Sequence, residues 1–295
     1  MLAYALTALL GLAQTDQTVQ VQKGTRLDIN NFSGEITIKV WDRDAVRVEV
    51  DHSDRDTVDI RTINQRLTIR GRGRNGRPRS LDYTVSVPRW MPISVSGPYT
   101  DVTMDGVGAD VSVDTVGGDV SVKGGAGFVS LKSVQGHITL DSAKGRIELN
   151  GVNDDIRLVN VSGDISAETT NGAIMLDKVD ATNLDAYTIN GDISYDGPIR
   201  DKGAYRLTTH NGTIGLAIAE RINATLTVRT YSGGFRSSFP VKADDQNNRR
   251  RFTLTFGNGS AHVEIESFSG SIVLRRPGEA LPAAERGRGR ARQRD

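Results

Sequence analysis

Cysteine is absent from the 295 residues. That excludes disulfides, thiol catalysis, iron–sulfur clusters and a lipid-modified N-terminal cysteine. Proline is scarce at 8 residues and aromatics make up only 5%, against 32 glycines, a balance that suits many turns and small aliphatic side chains. Charge of one sign is lacking as well. Lys plus Arg is 37 and Asp plus Glu is 36, a net charge of +1, so no global attraction to nucleic acid or to an anionic membrane is expected. Helix-period stretches are scarce, and no apolar run reaches the roughly 20 residues of a spanning helix.

What the chain does have is a nine-residue phrase, repeated across 102–181. Aliphatic residues stand at Val102, Val111, Val120, Val129, Ile138, Ile147, Ile156, Ile165 and Ile174, every step being nine. Two places after each comes a second apolar residue, from Met104 through Leu149 to Leu176, which gives the alternation of a strand. A third, anchoring position is mostly apolar, with Val107, Val116, Val134, Ala143, Val152, Val161 and Val179. Glycine then takes the turn, at Gly118, Gly127, Gly136, Gly145, Gly163 and Gly172. A short fixed period of this kind predicts a solenoid. Beyond Ile174 the register runs through Leu184, Ile193, Tyr205, Ile214, Leu226 and Phe235, in steps of ten, nine, twelve, nine, twelve and nine. The added residues, at 196–204 and 217–225, fall in alternate half-coils, so two phrases make one coil. The expected fold is all-β, a β-solenoid of stacked two-strand coils of about 18 to 21 residues with a strand-rich N-terminal cap. At about 4.8 Å between strands, the nine or so coils give a rod on the order of 45 Å long.

Four segments follow from this reading. Residues 1–13, MLAYALTALLGLA, have the apolar character of an export signal without its basic n-region. Residues 14–100 hold a first coil, begun by Leu27, Ile29 and Phe32, and a β-rich cap. That cap includes an Arg-rich stretch at 70–79, read as a hairpin loop. Residues 101–275 form the solenoid proper, continuous with the cap. A polar loop interrupts it at 237–251, after which Leu254, Val263 and Ile272 resume the step of nine. Residues 276–295 are a basic tail without apolar period, expected to be disordered.

Chemistry-bearing constellations are few. His52, His137, His210 and His262 are scattered without metal-ligand spacing. Gly117, Gly118 and Asp119 match only a fragment of the calcium-binding nonapeptide. No catalytic, metal or cofactor set is expected. Asp105, Lys123 and Asp141 fall one coil apart on one face, as do Asp114 and Lys132 on the other, and read as stabilising cross-strand pairs. One corner of the coil repeats Gln135, Asn153, Asn171, Asn190, Asn211 and Ser232, with Ser33 and Ser269 in the same slot at the ends. Thr169, Thr188, Thr209 and Thr230 stand two places before. Side-chain capping and a self-satisfying amide ladder explain such a corner. The sharper alternative is a polar ridge of Asn171, Asn190, Asn211, Ser232, Thr188 and Thr209, with Tyr187 and Tyr231 nearby, that touches a glycan or cell-wall polymer. On that alternative, binding is sought on the lengthened side and the Asn corner beside it.

The stretches LDINNFSGEITIKVWDRD at 27–44 and VPRWMPISVSG at 87–97, followed by repeated SGDI, NGAI and NGDI, resemble the bacterial β-strand-repeat, adhesin-like family, a family of unknown function. The resemblance covers nearly everything between signal and tail. It implies the solenoid fold and supplies no catalytic residues. The resulting expectation is a non-enzymatic, exported module that binds or scaffolds in the periplasm, at the cell surface or in secreted form. Its partners are a glycan, a cell-wall polymer or an envelope protein, not nucleic acid. Two alternatives stand beside it: a carbohydrate-active enzyme on a β-helix, and an envelope-stress protein that binds anionic envelope polymers.

Overall fold

The computed structural model describes residues 13–53, 56–73, 76, 80–219, 221–242 and 250–279. Apart from Ala13, the predicted export signal lies outside them. So do the centre of the 237–251 loop, most of 74–79 and the tail beyond Glu279. Among the described residues every regular element is a strand.

The N-terminal end contains β1 (Ala13–Gln20), β2 (Arg26–Asn30), β3 (Ser33–Trp41), β4 (Ala45–His52), β5 (Asp56–Ile63), β6 (Arg66–Gly73), β7 (Asp82–Pro88) and β8 (Ile93–Val107). Strands β2 and β3 are the two sides of the first coil. The long β8 supplies both sides of the next, pairing Leu27 with Ile93 and Ile36 with Val102. The cap closes each face separately. On one, the β5–β6 hairpin adds to β2; on the other, β7, β4 and β1 add to β3, the last two antiparallel. The first half of the Arg-rich stretch is therefore strand, not loop. Arg70 and Arg72 lie in β6 opposite β5, and Arg72 pairs with Asp59 at 3.1 Å. Acidic residues on the neighbouring strand make an extended arginine run tolerable there.

The regular array runs through β9 (Val111–Gly117), β10 (Val120–Gly124), β11 (Ala126–Gln135), β12 (Ile138–Asp141), β13 (Lys144–Asn150) and β14 (Ile156–Val159). It continues through β15 (Ser162–Thr169), β16 (Ile174–Asp177), β17 (Asp180–Thr188), β18 (Ile193–Asp196), β19 (Ala204–Thr209) and β20 (Ile214–Ala217). Odd strands stack in parallel on one face, which we term face A, and even strands on face B. Val120 lies beside Ile138, Ile174 beside Ile193, and Ile193 beside Ile214, so the coil grows from 18 to 19 to 21 residues. Both inward positions of each strand are buried, and their aliphatic side chains fill one continuous core between the faces. The charged columns also stack as expected, with Lys123 between Asp105 and Asp141 and Lys132 beside Asp114.

The C-terminal order departs from the sequence order. After β21 (Ala224–Thr230), β22 (Phe235–Ser237) and β23 (Arg251–Phe256), the chain returns. Strands β24 (Ala261–Ser267) and β25 (Ile272–Arg275) insert beneath the coil that precedes them. Leu207 thus lies beside Ile265, not Val228, and Ile214 beside Ile272, not Phe235. Strand β23 folds back antiparallel over β21 and seals the end of face A. Because 226/235 and 263/272 carry the same phrase, periodicity could not distinguish their places. The outward charges can: Glu264 lies between Arg206 and Arg229, at 3.5 and 2.8 Å, whereas direct stacking of β21 on β19 would leave Arg206 facing Thr227. The 237–251 segment is also not wholly polar in its packing, since Phe239 is buried against Phe256.

Candidate ligand-binding ridge

The two corners of the coil differ in what they do with the anchoring position. Where even strands turn into odd ones, Val107, Ala143, Val161 and Val179 are buried. Where odd strands turn into even ones, the anchor points outward. Val116 is 47% exposed, Phe268 44% and Tyr231 46%, and Val134, Val152, Ile189 and His210 are exposed with them. The expectation of one apolar anchor per phrase thus holds at one corner and fails at the other. The reason is a chain of polar groups that closes the second corner from within.

The inner layer of this closure is a buried hydroxyl column. Thr169 Oγ1 donates to the carbonyl of Asp154 at 3.2 Å, Thr188 to Gly172 at 2.9 Å, Thr209 to Gly191 at 2.9 Å and Ser267 to Gly212 at 3.0 Å. Each satisfies a turn carbonyl of the coil below, which burial would otherwise leave costly. Thr188 and Thr209 are 0% and 2% exposed. They are therefore removed from the predicted ligand set, because their hydroxyls are spent inside the corner.

The turn glycines explain why the coils approach so closely. A Cβ on Gly191 would lie 1.9 Å from the Gly172 carbonyl oxygen, and one on Gly212 would lie 1.9 Å from that of Gly191. Neither takes a positive φ. Close stacking, not the left-handed conformation expected of turn glycines, excludes a side chain here.

The outer layer is the amide ladder. Asn171 Nδ2 donates to Asn153 Oδ1 at 3.1 Å, Asn190 to Asn171 at 2.9 Å and Asn211 to Asn190 at 2.8 Å. Ser269 and Ser232 continue the column through backbone bonds to His210 and Phe268. Within the ladder each inner amide uses one N–H and one acceptor lone pair, so a second donor and lone pair per residue stay available. Beyond it runs a row of carboxylates. Asp101 accepts from Asp119 N at 2.8 Å, Asp119 from His137 N at 2.7 Å, Asp155 from Ala173 N at 2.7 Å and Asp192 from Thr213 N at 2.7 Å.

The structure thus brings Asn171, Asn190, Asn211, Ser232 and Tyr231 together on one exposed edge, with Tyr187 exposed on the adjoining part of face A. It adds a row that the phrase itself obscured: Val116, Val134, Val152, Thr170, Ile189, His210, Phe268 and Tyr231. Three of these rings stack. His210 and Phe268 lie 4.7 Å apart at 13°, Phe268 and Tyr231 5.1 Å apart at 30°. The lengthened loops lie at the other corner, across the coil from this ridge and not beside it. There Tyr195 donates to the Pro198 carbonyl at 2.8 Å, and Tyr205 accepts from Arg200 N at 2.8 Å. Burial pushes both phenols above their ordinary range.

Face A also carries a groove of about 680 Å³ across β13 to β24. Its carboxylates are engaged: Glu148 with Arg146 at 2.8 Å, Asp164 with the Asn183 amide at 2.8 Å, Asp185 with Arg206 at 3.6 Å and Glu264 with Arg229 at 2.8 Å. Among the described residues there is no group of three or more metal-ligating side chains. Nor is any helix among them long and apolar enough to cross a membrane.

Residues 24–275 match the model of the Toastrack DUF4097 family. The chain belongs to that family. The resemblance read from the SGEI and SGDI phrases is borne out. Solved structures similar to the chain include a candidate adhesin from Bacteroides fragilis, at 9% identity over 90% of this chain and 98% of that one, with a TM-score of 0.44. Another is a candidate adhesin from Parabacteroides distasonis, at 10% identity over 90% and 98%, TM-score 0.42. A third, from the same species, is described as a candidate lipid-binding protein, at 10% identity over 89% and 96%, TM-score 0.30. No curated protein matches the chain.

Proposed function

We propose that this Toastrack protein is an exported, non-enzymatic binding or scaffolding module of the cell envelope, adhesin-like in action, that holds a polymer along its Asn ridge. The observation that carries this reading is the corner itself. Exposed amides and exposed apolar side chains repeat there in register over successive coils, a linear surface that matches a linear ligand. Larger exposed apolar strips on soluble proteins mark interaction sites. The apolar run at residues 1–13 supports export to the periplasm, the surface or the medium.

The competing enzyme reading needs two carboxylates free to act as acid and base across a cleft. The groove of face A is the place for them, and there the acidic side chains are bound to arginines or an amide. Binding without cleavage is the reading we favour. Cell fractionation followed by a screen against envelope and extracellular polysaccharides tests it. Recovery in an exported fraction, with retention of an intact polymer, is the expected result. Cytoplasmic recovery, or cleavage lost on changing one Asp or Glu, contradicts it.

A further inference from the structure

We infer that the occupant of the ridge is an uncharged glycan chain, lying parallel to the stacking axis and perpendicular to the strands. The inference rests on the polymer-binding reading above and names its ligand class and direction.

Size decides against a folded partner or a second copy. The row from Val116 to Tyr231 spans eight coils, so its ends are about 34 Å apart at roughly 4.8 Å per strand, and the corner is about 10 Å wide, the spacing of packed sheets. Its area is on the order of 350 Å², less than half of the roughly 800 Å² that each partner of a stable protein pair contributes. A single extended chain needs no more than this strip.

Composition selects the chemistry. The outward row and the amide row run side by side, one residue apart in sequence, as in Val134–Gln135, Val152–Asn153 and Ile189–Asn190, with a serine in the amide's place beside Phe268 and Tyr231. A pyranose chain presents the matching pair, C–H faces and hydroxyl edges. The free N–H and lone pair of each Asn serve hydroxyls, which both donate and accept. The rings of His210, Phe268 and Tyr231 stack on one another, so they offer edges and one terminal face to the chain.

Charge selects among glycans. Asp155 and Asp192 lie two residues beyond Asn153 and Asn190, Asp119 holds the same place in the coil of Val116, and Asp101 in the coil before it. That is within about one Debye length, roughly 8 Å, of a bound chain. Each carboxylate accepts a backbone N–H from the next coil. The polymers they disfavour are uronates, teichoic acids and sulfated glycans, which also sets the ridge apart from the anionic-polymer alternative.

Isothermal titration of the full chain with cello-, manno- and N-acetylchito-oligosaccharides of two, four and six units tests this, with oligogalacturonates of equal length beside them. At least one neutral series should bind, with affinity rising with length. The oligogalacturonates should bind more weakly. Phe268→Ala should lower the affinity of the neutral hexamer about ten-fold, the effect of truncating one anchoring side chain, while Phe128→Ala, an exposed ring at the opposite corner, should not. Stronger binding of oligogalacturonate, lost in Phe268→Ala, overturns the uncharged class and leaves a polymer-binding ridge standing. Affinity independent of length overturns the axial placement. If neither these oligosaccharides nor the polysaccharides of the wider screen bind, both this inference and the reading beneath it fall.

Discussion

At the scale of single residues, the corner is set by distances too short for a side chain. Gly212 admits no Cβ because the Gly191 carbonyl oxygen would be 1.9 Å away, whereas the Cβ of a residue at Gly234 would meet nothing within 4 Å. Gly212→Ala should therefore destabilise the protein by about 2 to 3 kcal/mol, the cost of forcing an overpacked site apart. Gly234→Ala should change little. Thermal or urea unfolding of the two variants compares them. The buried hydroxyls make a second prediction. Thr209→Val removes the bond to the Gly191 carbonyl and should cost about 1 to 2 kcal/mol, since that carbonyl is left without its partner. Binding along the ridge should be unchanged in this variant, and a loss of binding at full stability would return Thr209 to the ligand set. Residue types were readable here, but their roles were not. Asn, Thr and Gly recur two and one places apart, yet only the stacked backbone shows which of them face solvent.

At the scale of elements, the long loop at the opposite corner is fastened by an ion pair. The Arg200 guanidinium is hydrogen-bonded to Asp180 and holds its carboxyl below the ordinary value of 3.8. A carboxylate whose folded value is depressed contributes stability above its unfolded value, and that contribution disappears as pH falls through the depressed one. Arg200→Ala should thus melt slightly below the wild type at pH 7, with the gap closing below pH 3.8; both side chains are partly exposed, so the difference is small. Melting curves across pH 2 to 7 show it. The inserted coil makes a sharper test. In a chain without cysteine, Arg206→Cys with Glu264→Cys places two thiols on adjacent in-register strands, about 4.8 Å apart, within disulfide reach. Arg206→Cys with Thr227→Cys places them two strands apart, about 9.6 Å, beyond it. Oxidation should cross-link the first pair and not the second. The opposite outcome would restore the sequence order of the coils. Strand identity and coil length were readable from the step of nine, because burial imposes that period. Coil order was not, since Leu226 and Val263 begin interchangeable phrases and only the charges of Arg206, Arg229 and Glu264 distinguish their neighbours.

At the scale of the whole molecule, the solenoid turns a short phrase into a long edge. Caps at both ends cover part of the open strand edges: the β5–β6 hairpin and β1, β4 and β7 at one, β23 at the other. The groove of face A carries engaged charges, the lengthened corner is tied down by tyrosines and an ion pair, and the Asn corner presents a file of amides beside a row of mostly apolar side chains. We propose that this corner, and not the groove of face A, is where the protein meets its ligand. The most direct test follows the side-chain amide signals of Asn171, Asn190 and Asn211 by NMR, with the guanidinium signals of Arg206 and Arg229, during titration with a glycan that the screen shows to bind. The Asn signals should shift together while the signals of the groove arginines stay in place. Shifts confined to Arg206 and Arg229 would contradict it.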